Sequence, residues 1–188
     1  MTYRVVLLAL ALAAAGCDQQ LGAGSTADAP APQLDAPAPI SEPSRVFSAT
    51  NDAATSATGE LTVSIAQQLP DDAASDVQEV LTLRAANGLT VEAQISGAVS
   101  PATQVQGQTL RALLELPVEA PQVLVYRVTQ ENRPEGGGGL CGGDNTAFVV
   151  LWEPSGPGDP VMKLLGVRDA APGSAGARAC TMLEYRRA

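Results

Sequence analysis

A chain of 188 residues has room for one ordinary domain, or for a smaller one with a tail. It holds no histidine and only 3% aromatic residues, which argues against a His-ligated metal site and against a large enzyme core. Its formal charge of -9 argues against nucleic acid, where Lys and Arg must replace counterions, and against a polybasic grip on anionic lipid.

The chain opens on an export signal. Arg4 precedes an apolar run from Val5 to Ala14, and the small residues Ala15 and Gly16 lead into Cys17. A basic start, an apolar stretch of roughly 7–15 residues and a small-residue cut make a secretory signal, and the run is shorter than the 20 or so residues of a bilayer span. Ala14-Ala15-Gly16-Cys17 resembles the lipobox of bacterial lipoproteins, with Ala14 where the family usually has Leu. The resemblance covers residues 1–17 alone. It implies removal of the signal peptide 1–16, lipid on the Cys17 thiol, and attachment to the periplasmic face of the inner or outer membrane. Each buried acyl methylene contributes about 0.8 kcal/mol, so several chains on one residue anchor stably.

Residues 17–59 read as the lipidated cysteine and a disordered Ala/Pro-rich tether, in which Asp28-Ala29-Pro30-Ala31-Pro32 recurs as Asp35-Ala36-Pro37-Ala38-Pro39. Such a segment has too little apolar surface to offset its ordering entropy. The remainder, 60–188, is expected to form a single β domain.

Leu61, Val63 and Ile65 alternate with polar residues, the period of a half-buried strand. Leu81, Leu83 and Ala85 alternate next, and Leu89, Val91, Ala93 and Ile95 do so again after Ala86-Asn87-Gly88. A two-residue Asn-Gly turn would set Leu83 opposite Glu92. A three-residue loop pairs Leu83 with Val91 and Leu81 with Ala93, which keeps every apolar residue on one face, so the type I turn with a G1 bulge at Gly88 is expected. Thr109–Leu116 suits either a strand or a short helix; helix propensity is set against Pro117 and strand-like neighbours, and a strand is expected. Gln122–Thr129, Ala147–Trp152, Val161–Val167 and Thr181–Arg186 complete seven or eight short strands. The 147–152 strand is apolar on both faces and therefore central, with Trp152 as the largest core residue. Turn-rich spacers between these strands indicate an all-β fold, a small antiparallel barrel or sandwich.

Once Cys17 is assigned to lipid, Cys141 and Cys180 remain, and an exported chain sits where disulfides persist. A bond between them is expected to pin a glycine-rich loop to the last strand. A catalytic thiol lacks a histidine to activate it. Gly137-Gly138-Gly139-Leu140-Cys141-Gly142 satisfies G-x-G-x-x-G formally, but neither the preceding Arg133-Pro134-Glu135 nor the following strand is the context of a dinucleotide site. The loop is instead the candidate binding surface, through Gly136, Gly137, Gly138, Gly139, Gly142, Gly143, Asp144 and Asn145. Asp144 and Asn145 supply too few oxygens for calcium, and Asp71-Asp72 reads as a solvated loop pair.

No catalytic residues, metal ligands or cofactor emerge. The expected role is a lipid-anchored, non-catalytic binding or structural module of the cell envelope, whose partner is an envelope protein or glycan. One alternative is a periplasmic inhibitor of a hydrolase such as lysozyme, by analogy with other small anchored β-barrel lipoproteins. Another is an envelope enzyme working with carboxylates alone, although the spacing of the acids selects no pair.

Overall fold

The structure is a computed structural model and describes residues 41–68, 77–154 and 161–188. The signal, Cys17, the Ala-Pro repeat and Asp71-Asp72 lie outside the described residues. The chain forms strand β1 (Arg45–Ala49), helix α1 (Asp52–Ala57), and strands β2 (Leu61–Gln68), β3 (Gln78–Ala85) and β4 (Thr90–Val99). It continues through the two-residue strands β5 (Gln104–Val105) and β6 (Gln108–Thr109) and helix α2 (Leu110–Leu113). Strands β7 (Val123–Asn132), β8 (Phe148–Trp152), β9 (Val161–Arg168) and β10 (Arg178–Arg187) follow.

Eight of these strands close into an antiparallel barrel in the order β1-β10-β9-β8-β7-β4-β3-β2, with β1 also paired to β2. Of the two all-β architectures left open by the sequence, the barrel is the one adopted. An eight-stranded barrel is just wide enough for side chains to fill it. Alternate residues such as Leu61 and Val63, Leu81 and Leu83, and Leu164 turn inward and are fully buried.

The β3–β4 hairpin takes the three-residue register, with Leu81 opposite Ala93 and Leu83 opposite Val91. Ala85 N donates to Leu89 O at 2.8 Å and Gly88 N to Ala85 O at 3.0 Å. Gly88 stands at φ +94°, a conformation that side-chain-bearing residues rarely adopt.

Three expectations are corrected. The stretch assigned to the tether contains β1 and α1: Arg45–Phe47 pairs with Leu61–Val63, Phe47–Ala49 with Tyr185–Arg187, and Phe47 is completely buried. The barrel cannot close without that strand. Within the 109–116 segment, Leu110–Leu113 forms a short helix beside the barrel, and no barrel strand runs through it. Thr109 caps it by accepting from Ala112 N at 3.2 Å, and Leu110 and Leu114 are buried. Finally, Trp152 is only half-buried and follows the inward-facing Leu151, so strand alternation turns it outward; Tyr126, Tyr185 and Phe47 are the largest fully buried residues.

A second apolar layer explains why β8 is apolar on both faces. Val149 and Leu151 join the interior core, while Phe148 and Val150 join an outer one with Leu165 and Val167 of β9. The 100–122 excursion covers that outer face with Val105, Leu110, Leu114 and Leu116. Lys163 fastens the cover: its Nζ donates to Glu115 O at 3.1 Å and pairs with Glu184 at 3.2 Å.

The strand registers put the ends of β1, β3, β7 and β9 at one rim and their starts at the other. At the first rim, α1 seats Ala54 in the core and the glycine-rich loop seats Leu140 there. The disulfide is at the same rim. Cys141 and Cys180 are joined with a Cα–Cα distance of 5.3 Å, and Cys180 occupies the irregularity where β10 slips register between Ala179 and Met182.

Candidate functional site

The glycine-rich loop is organised around one acid. Glu131, near the end of β7, accepts from Leu140 N at 3.0 Å, Thr146 Oγ1 at 2.8 Å and Thr146 N at 3.3 Å, and pairs with Arg133 at 3.0 Å. Burial by itself would raise its pKa. The hydrogen bonds from Arg133, Thr146 and Leu140 outweigh that and hold the carboxyl below its ordinary value. Arg133 also donates to Gly143 O at 2.9 Å and to Asn145 Oδ1 at 3.0 Å, and Asp144 pairs with Arg168. Asp144 and Asn145 are therefore engaged within the protein.

Of the candidate loop glycines, Gly136, Gly137, Gly138, Gly142 and Gly143 are exposed and Gly139 is buried. Beneath the loop, Gly166 of β9 leaves room for the disulfide, since a Cβ there would lie 2.8 Å from Cys141 Sγ. Leu140, Cys141 and the Glu131 cradle anchor both limbs of this loop.

The other rim carries a cleft of about 780 Å³. Its floor is made by Ile65, Leu124 and Leu151, which top the interior core. One wall is the 117–122 part of the cover, and Trp152 lies beside it. Arg45, at the start of β1, reaches Glu153, just after β8. Its Nη1 donates to Oε1 at 2.7 Å and Oε2 at 2.5 Å, and the guanidinium lies 5.7 Å from the Phe47 ring centre. The two side chains keep 19% and 26% of their exposure, so the pair is partly open to solvent. Deeper in, the Tyr126 hydroxyl donates to Glu79 Oε1 at 2.6 Å; burial, then that hydrogen bond and the negative charge of Glu79, push its pKa well above the ordinary tyrosine value.

A smaller hollow of about 460 Å³ lies between the β5–β6 hairpin and residues 173–178. Its polar groups serve the fold: Gln106 Oε1 accepts from Ala179 N at 3.2 Å, and Arg178 pairs with Asp169 at 3.4 Å. Among the described residues, no group of three or more His, Cys, Asp or Glu is placed to hold a metal ion. No protein-family model, curated protein or solved structure matches the chain.

The loop is legible in the sequence, and the cleft is not. Arg45, Leu124 and the Trp152-Glu153 pair belong to three separate stretches of sequence, and only barrel closure brings Arg45 to Glu153. A usable signal was present in Trp152, the single tryptophan, at the last position of an otherwise apolar strand. A large aromatic there lands on a rim.

Proposed function

We propose that the chain is a lipid-anchored protein of the bacterial cell envelope whose barrel acts as a non-catalytic binding module, with the rim cleft as its binding site. The anchor rests on the lipobox-like Ala14–Cys17 stretch. The observation that carries the binding role is the cleft, an apolar floor crossed by a partly exposed ion pair, in the range of about 300–1,000 Å³ usual for small-ligand sites. Support for the absence of catalysis comes from the acids. A general acid at neutral pH needs a raised pKa. Glu131 is shifted the opposite way.

Two measurements test the reading. The intact mass of membrane-extracted protein should equal a chain beginning at Cys17 plus acyl groups; a chain retaining Met1, or cut without lipid, removes the anchor. A photo-reactive residue in place of Val118, which is 84% exposed beside the cleft, should form adducts with an envelope component in cells. Adducts from Gly138 but none from Val118 would move the binding surface to the glycine loop.

A further inference from the structure

We propose that the rim cleft binds a neutral oligosaccharide, an inference that rests on the binding-module reading and gives it a ligand class. Sugar rings present C–H faces and a perimeter of hydroxyl and carbonyl groups. A site for them needs an aromatic or apolar platform with fixed polar groups at its edge. Trp152 supplies the platform, half-buried beside Pro117 and Pro121. Its indole N–H meets no acceptor among the described residues. Tryptophan combines a large apolar face with one donor, which suits a ligand of that dual character.

The edge is supplied by Arg45, Glu153 and Gln122. The ion pair occupies only Nη1 of Arg45, and a guanidinium carries five N–H donors in a rigid fork. Nη2 and Nε find no protein acceptor among the described residues. Glu153 and the Phe47 ring already fix the orientation of the group, so a ligand that accepts from it meets a preorganised donor. The exposed Gln122 amide, which also has no protein partner among the described residues, adds one donor group and one acceptor.

Charge then selects among ligands. Arg45 is neutralised by Glu153, and Glu119 on the wall leaves the cleft with a small negative excess in a chain of net charge -9. Phosphate or carboxylate ligands would be repelled. A polycation would find one carboxylate already committed and an apolar floor beneath it. An uncharged saccharide meets neither obstacle.

Trp152 is the protein's only tryptophan, so its emission reports this cleft alone. The test is titration of purified full-length protein with the β-1,4-linked tetramer of N-acetylglucosamine, with inorganic phosphate and trilysine run in parallel. A saturable blue shift with the tetramer alone is expected. Gln122→Ala should weaken it several-fold with an unchanged melting temperature. Arg45→Met should weaken it about tenfold, or 1.4 kcal/mol. No saturable response to the tetramer overturns the proposal, as does binding that is insensitive to both substitutions. A response to trilysine or phosphate in its place overturns the sugar but leaves the binding-module reading standing. Absence of adducts from Val118 in cells is the separate failure of that reading.

Discussion

Glu131 does at the scale of one side chain what a short turn would do with backbone: it gathers Leu140, Thr146 and Arg133 and so holds both limbs of the glycine-rich loop. Removing one partner from a buried charged hydrogen-bond group costs about 1–3 kcal/mol. Glu131→Gln should lower the melting temperature at neutral pH correspondingly. Because the folded pKa lies below the ordinary value of 4.5, the carboxylate's contribution is fully present above that pH and is lost as the pH falls through the folded pKa. The gap between wild type and Glu131→Gln should therefore narrow in acid. A gap independent of pH would show that the ionised form is not what matters. The buried tyrosines behave with the opposite sign. Burial raises Tyr185 to about 12, slightly offset by its 2.7 Å hydrogen bond with Thr58, so its contribution is intact below the ordinary value of 10.0 and disappears as the pH rises toward 12. Absorbance titration should find the ionisation of Tyr126 and Tyr185 coupled to alkaline unfolding. Free titration near the ordinary value, with circular dichroism unchanged, would contradict their burial.

Elements were legible in the sequence where one physical rule acted without competition. The β3–β4 hairpin is such a case: period-two alternation on both sides of Asn87-Gly88 permits only one register that keeps Leu81, Leu83, Val91 and Ala93 together. The Cys141–Cys180 bond followed from counting the cysteines left once Cys17 is set aside for the expected lipid, together with the expected export. Closing a loop with sequence separation 39 is worth about 4 kcal/mol in the chain-entropy model, so Cys180→Ser should melt markedly earlier. An unchanged melting curve would mean the bond adds nothing to the fold. Helix α2 was missed because Leu110, Ala112, Leu114 and Leu116 satisfy the strand period by accident of a Leu-rich turn; the cap at Thr109 and local propensity prevail when no neighbouring strand is available to pair. Strand β1 was missed because five residues, Arg45–Ala49, carry only two large apolar side chains and follow a long polar, Pro-rich stretch. The cleft needed both missing pieces, since Arg45 sits on β1 and its outer wall continues from α2, so no single stretch could announce it.

For the molecule as a whole, β1 decides whether the sheet is a ring. A chain beginning at residue 60, where alternation starts, would lack the partner of both β2 and β10 and expose two unpaired edges, the usual template for aggregation. One beginning at residue 41 keeps all eight strands. Size-exclusion chromatography should give a monomeric, cooperatively melting species only for the longer version. A well-behaved monomer from residue 60 would mean the ring is dispensable. The same pairing has a consequence in time. Any chain that emerges N-terminus first, from a ribosome or through a membrane pore, releases Phe47 long before Arg187, its neighbour across the seam. Until the final strand arrives, β2 and β3 can pair but the barrel has no closing edge. The incomplete sheet therefore stays open until β10 emerges, and the ten residues Arg178–Arg187 are those that end its exposure.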